Sequence, residues 1–176
     1  MPLPRRYSWT ERMVGAAKLD ANMYEEVEAD TAANAQAAGV VALVAVAQAV
    51  GSIGEGTLGL VTGVVGAIVG WLIWAGVTYL IGAKLLGGTA TWGELLRTLG
   101  FAQTPGVLSV LGIIPVVGGV VRVAVTIWIL IAGVIAIRQA LDVSTEKAVL
   151  TAVLGWLVLA LPVFLLGITA AGALPR

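Results

Sequence analysis

Apolar runs long enough to cross a bilayer recur along this chain, separated by short stretches rich in glycine, hydroxyls or charge. Thr31 to Ile53 is Ala- and Val-rich and holds only Asn34, Gln36, Gln48 and small hydroxyls as polar positions. Leu58 to Leu86, Glu94 to Pro115, Val120 to Ile137 and Ala148 to Ile168 follow. A helix needs about 20 residues to cross ~30 Å of hydrocarbon, because each backbone N–H and C=O must be satisfied within the segment. The pattern therefore predicts an all-α integral membrane bundle of five transmembrane helices, preceded by a short N-terminal amphipathic helix. Residues 1–30 form the N-terminal segment and residues 31–176 the membrane domain.

The runs differ in quality. Leu58 to Leu86 exceeds what the hydrocarbon requires, which predicts tilt or projection into the interface. Within it Gly59, Gly63, Gly66 and Gly70 are spaced four, three and four apart, so they share a helix face that admits a neighbour at close range. The third run is the least regular. Gln103, Thr104, Pro105 and Gly106 interrupt its middle; proline removes a helix hydrogen bond and glycine loosens the backbone, which predicts a kink or a broken, partly re-entrant helix. Pro162 predicts a kink in the last run, and Pro115 to Gly119 a turn before the fourth.

Caps mark the helix starts. Asn22 with Glu25 has capping-box spacing, as do Thr91 with Glu94, and Ser144 stands ahead of Glu146 in the last helix. Glu25, Glu26, Glu28 and Asp30 would then crowd the first turns of the helix begun at Asn22, where the helix dipole favours anions. This acidic turn reads as a solvated helix start or as a docking patch for a basic partner. Upstream, Met1 to Pro4 is an extended lead-in. Trp9, Met13, Ala16 and Ala17 recur at helical spacing, with Glu11, Arg12 and Lys18 around the other side. Two readings fit: a helix on the membrane surface with Arg5, Arg6, Arg12 and Lys18 near anionic headgroups, or a helix packed on the rest of the protein.

Composition agrees with a lipid environment: hydrophobic residues are 59%, charged residues 11% and mean hydropathy +1.00, against about a quarter charged in ordinary soluble domains. The chain has no cysteine and no histidine, which removes thiolate nucleophiles, disulfides, zinc clusters and imidazole acid–base chemistry. No metal and no cofactor is expected. Ten basic residues balance ten acidic ones, with no basic run to track a phosphate backbone, so nucleic acid is not an expected partner. No short apolar core with a cleavage site opens the chain, so no secretory signal peptide is read there.

Five crossings put Arg5, Arg6, Arg12, Lys18, Lys84, Arg97, Arg138 and Lys147 on one side and Arg122 and Arg176 on the other. The positive-inside bias then places the N-terminus in the cytoplasm and the C-terminus outside. Trp92 and Tyr79 flank the cytoplasmic boundary as interface anchors. Arg122 lies about one turn inside the fourth span. It reads as an outward-snorkelling stem or as half of an intramembrane pair or ligand site. Gln103, Thr104 and Pro105 are the candidate kink or binding site, since a proline break frees carbonyls; Thr104 and neighbouring helices could equally satisfy them. Gln48 reads as interhelical glue.

The run GELLRTLGFAQTPGVLSVLGIIPVVG, followed by VTIWILIAGVIAIRQALDVSTEKAVLTAVLGW, resembles the Yip domain family, named for eukaryotic membrane proteins that interact with Ypt/Rab GTPases. AAKLDANMYEEVEAD ahead of a span is similar to prokaryotic members. The resemblance implies a five-helix membrane domain with a cytoplasmic N-terminus in a prokaryotic inner or plasma membrane. Rab association and vesicle trafficking belong to the eukaryotic relatives. Their long N-terminal region and Asp-Leu-Tyr-Gly motif are missing, and their Gly-Tyr-x-x-x-Pro signal stands as Gly100, Phe101, Ala102, Gln103, Thr104, Pro105.

The expected function is a non-enzymatic membrane adaptor or scaffold, an accessory subunit of a larger membrane complex, with lipids and other membrane subunits as partners. The alternative is a small transporter or channel, or a lipid- or membrane-organising protein. An enzyme would need a nucleophile or acid–base pair at one depth, whereas Glu55, Glu94, Asp142 and Glu146 stand alone or at caps.

Overall fold

The computed structural model describes residues 7–172, without the side chains of residues 55, 159, 160 and 162–172. Met1 to Pro4, Arg5, Arg6 and Leu174 to Arg176, on which parts of the sequence reading fall, lie outside the described residues. The elements are α1 (Trp9–Ala17), α2 (Ala21–Ala29), α3 (Ala33–Gly51), α4 (Gly56–Thr78), α5 (Trp92–Ala102), α6 (Val117–Leu141) and α7 (Thr145–Gly172), with no strand among the described residues. The fold is an all-α membrane bundle. α3, α6 and the Gly56–Leu85 stretch are the helices long and apolar enough to cross a membrane found among the described residues. α7 is a further helix of 28 residues that continues through Pro162.

Besides a short 3₁₀ turn over Ile53–Glu55, two longer helical segments among the described residues depart from α-helix. α4, at 23 residues already longer than the hydrocarbon requires, continues as a π-helix over Tyr79–Leu85. The third run is α5 followed at Gln103 by a 3₁₀ segment over Thr104–Ile113, so the expected break is present. Its stability comes from packing: Thr104, Pro105 and Gly106 are buried, and a Cβ added to Gly106 would lie 2.6 Å from Val44 Cγ1 of α3. The chain turns at Val116, φ 68°, into α6.

α1 begins with a capping box in which Glu11 N donates to Ser8 Oγ at 3.2 Å and Ser8 N to Glu11 Oε2 at 2.8 Å. α2 corrects the sequence reading. Its N-cap is Asp20, whose carboxylate accepts from Asn22 N at 3.0 Å, not Asn22. Leu19 at φ 64° reverses the chain just before it, so the helix starts earlier. Glu25, Glu26 and Glu28 therefore sit in its middle and second half and Asp30 at its C-cap, where the dipole disfavours anions. Arg12 holds Glu26 and Asp30 there, and Gln139 bonds Glu25.

Glycines set the closest approaches. At one end of the bundle Gly51, Gly112 and Gly118 bring three backbones together: a Cβ at Gly112 would lie 2.8 Å from Gly51 O, and one at Gly118 3.0 Å from Gly112 Cα. In the interior the Trp74 ring of α4 fills the space over Gly133 of α6 and Gly155 of α7, where added Cβ atoms would lie 2.6 Å from Cζ2 and 2.9 Å from Cδ1.

Candidate functional site

Two buried arginines organise one end of the bundle, and neither was singled out as a site by sequence reasoning. Arg12 of α1 is 2% exposed. Its Nε and Nη2 donate to Glu26 at 2.9 and 2.6 Å, Nη2 to Asp30 Oδ2 at 2.5 Å, and Nη1 to Gln36 Oε1 at 2.8 Å. Arg12 is thus turned inward rather than toward headgroups, because two carboxylates of α2 and an amide of α3 satisfy four of its donors. Of the acidic turn, Glu26 and Asp30 act as internal counter-ions to Arg12, whereas Glu25 stays exposed. Arg97 of α5, 4% exposed, donates to Val27 O at 3.2 Å, to Glu28 O, and to Asn34 Oδ1 at 3.4 Å. A guanidinium on the last carbonyls of α2 complements the negative end of its dipole.

Further bonds draw the connections onto the same end. Gln139 Nε2 donates to Glu25 at 2.6 Å, Thr89 Oγ1 to Asp142 at 3.0 Å, and Lys147 Nζ to Leu86 O at 3.0 Å. Trp92 stacks edge-on against Tyr79 at 6.2 Å, and the Lys84 ammonium lies 5.1 Å from the Tyr79 ring centre. α1 itself is tied down by Trp9 Nε1 to Gln36 O, by Tyr24 Oη to Ala16 O, and by Trp128 Nε1 to Ala17 O. Glu28, half-buried there, is pushed up to about 7, first by desolvation and then by Asp142, Glu94 and Glu25, against the lowering effect of Arg97. Among the described residues no cluster that could hold a metal ion is gathered.

The candidates from the sequence lie away from this end. Gln103 ends α5, and Thr104 Oγ1 donates to Phe101 O at 2.6 Å, so Thr104 takes up a carbonyl near the break. Arg122 Nη2 donates to Gly51 O at 3.2 Å and Ser52 Oγ at 3.4 Å. Gly59 and Gly63 are buried, and a Cβ on Gly63 would lie 2.9 Å from Ala49 N of α3. Gly66 and Gly70 have nothing within 4 Å.

The structure brings Gln103, Arg122, Gly63, Gly66 and Gly70 to the lining of a cleft between α3, α4 and α6, and leaves Gly59, Thr104 and Pro105 outside it. One chamber, about 300 Å³, is lined by Gln48, Ser52, Thr62, Ser109, Arg122 and Thr126. A second, about 170 Å³, is lined by Gln48, Gly66, Gly70, Trp71, Gln103 and Trp156, among others. They adjoin across Gln48, Thr126 and Ile129, which line both. The spacing of Gly66 and Gly70 marked a shared face, and only the fold shows that this part of it borders open space beside two carboxamides.

A family model described as the Yip1 domain matches residues 23–167, from α2 into α7. The chain belongs to the Yip1 domain family. The match takes in Arg97, the 3₁₀ break and the cleft of this Yip1 domain, and begins after Arg12 and α1. No curated protein and no solved structure matches the chain.

Proposed function

We propose that this Yip1-domain protein is a non-enzymatic membrane adaptor or scaffold that serves as an accessory subunit of a larger membrane complex. The observation that carries the reading is how little of the Gly56–Leu85 stretch the protein covers: 17% of its most apolar membrane-length part is buried, against 39% for α3 and 28% for α6. Leu60, Val64, Val65, Ile68 and Leu72 stand exposed along it. A helix left bare by its own bundle is the natural seat for lipid and for helices of neighbouring subunits. The buried cations Arg12 and Arg97 are both spent on holding α2, so neither is available as a reactive group.

In this reading the chain crosses the membrane five times, with α7 and the two-part third segment as crossings beside α3, α4 and α6. Lys84, Arg97, Arg138 and Lys147 stand on helices at or next to the α1–α2 end of the bundle, whereas Arg122 lies at the other, which supports a cytoplasmic N-terminus and an outward C-terminus. The membrane is a prokaryotic inner or plasma membrane. Photo-crosslinkers placed at Val64 and Ile68, with Val40 of α3 as the buried control, test the proposal in cells. One discrete protein adduct at 64 and 68 and none at 40 is expected; lipid adducts alone at all positions would remove the adaptor reading.

A further inference from the structure

We propose that the cleft between α3, α4 and α6 binds one glycerophospholipid, its phosphate held at Arg122 and one acyl chain laid along Gly66, Gly70, Trp71 and Trp156. The inference goes beyond the adaptor reading and rests on a different surface from the bare face of α4.

Polarity is graded along the cleft as it is along a lipid. Arg122 is the sixth residue of α6, so at 1.5 Å per residue it lies about 7.5 Å inside the helix start, at the depth where headgroup gives way to hydrocarbon. Beside it the wider chamber presents the hydroxyl-bearing side chains of Ser52, Thr62 and Ser109. A guanidinium carries five N–H donors and can serve protein carbonyls and a phosphate together. Gln48 comes next, one helical turn from Ser52, and lines both chambers. No hydrogen bond joins its carboxamide to the described residues. In a lipid-facing cleft an unmatched amide costs free energy, and an ester carbonyl of the glycerol backbone is an acceptor at the right place. Beside Gln48 the second chamber keeps Gln103 and Thr126, and the rest of its lining is Gly66, Ala67, Gly70, Ile129, Leu130, Trp71, Trp74 and Trp156. Gly66 and Gly70 leave room there that their own chain does not fill.

A free anion would need the first chamber only; a neutral lipid would need the second only. The geometry points to a ligand that uses both. The test is native mass spectrometry of the full-length protein, delipidated in a neutral detergent and titrated with dioleoyl phosphatidylglycerol, inorganic phosphate or dioleoylglycerol. One phosphatidylglycerol per chain is expected to be retained, with phosphate and diacylglycerol each held at least tenfold more weakly. Arg122→Gln should weaken retention about tenfold, the loss of one charge-assisted contact. Gly70→Leu should weaken it similarly by filling the acyl path, and should fold, since nothing lies within 4 Å of that position. Gly119→Leu, equally open but outside the cleft lining, should leave retention unchanged. Should Arg122→Gln fail to fold, Gly70→Leu alone decides. Unchanged retention in Gly70→Leu overturns the site. Phosphate retained as well as the lipid makes it an anion site instead, and diacylglycerol retained as well removes the role of Arg122; either result overturns the proposal.

Discussion

Replacing Arg12 by glutamine probes the end of the bundle where the N-terminal helices attach. The guanidinium is 2% exposed and its partners Glu26 and Asp30 are 24% and 35% exposed. Breaking a fully buried ion pair from one side costs about 3–5 kcal/mol, because a charge is left without a partner. Here two carboxylates would be left, but both reach solvent and can rehydrate, which cuts the figure to about 2–3 kcal/mol. The loss falls on docking of the α1–α2 hairpin rather than on the whole bundle, since α3 to α7 keep their contacts. Limited trypsin digestion in detergent is the direct assay. Lys18, in the turn between α1 and α2, should become cleavable roughly 30-fold faster in Arg12→Gln if cleavage tracks an opening equilibrium shifted by about 2 kcal/mol. The double variant with Glu26→Gln should recover part of the loss, because one orphaned charge is removed with the other. Equal cleavage of wild type and Arg12→Gln at Lys18 would refute the reasoning and return α1 to the membrane surface.

Two further outcomes follow from the packing and electrostatics. Gly133→Ala should destabilise by about 1–3 kcal/mol, since its new methyl would meet the Trp74 ring at 2.6 Å from Cζ2; thermal unfolding in detergent measures this, and Trp74→Leu in the same chain should relieve it. The Glu28 carboxyl titrates near 7 in the folded protein, above its ordinary 4.5, so the folded state binds the proton more tightly than the unfolded one. Stability should therefore fall as pH rises from about 5 to 8, and Glu28→Gln should flatten that dependence and raise the midpoint at pH 8; a wild-type midpoint that climbs over this range contradicts the assignment.

Much of the fold was legible because it rests on local signals. Capping at Thr91 and Glu94 appears as expected, with Glu94 N to Thr91 Oγ1 at 3.3 Å and Thr91 N to Glu94 Oε2 at 2.8 Å, since a capping box needs only four consecutive residues. The break after Ala102 follows from Pro105 for the same reason. What depends on distant partners was not legible. Arg12 reads as a surface cation until Glu26 and Asp30 are folded against it, and Arg97 meets carbonyls of Val27 and Glu28 some 70 residues earlier. Between Asp20 and Asn22 local preference does not choose the cap; the reversal at Leu19 does. The glycine spacing in α4 gave a face, but not that α3 covers its Gly63 part and leaves Gly66 and Gly70 beside a cleft. Likewise Gln48 and Gln103 stand 55 positions apart in the sequence and share a chamber only in the folded bundle.

We propose a bundle embedded in lipid with its α1–α2 end in the cytoplasm and its Arg122 end outside. The chain has no cysteine, so single cysteines can be placed without background at Asn22, exposed on α2, and at Gly54 and Gly119, exposed at the opposite end. Labelling of intact cells with a membrane-impermeant maleimide should mark positions 54 and 119 at once and position 22 only after permeabilisation. Equal labelling of all three in intact cells, or of 22 alone, would contradict it.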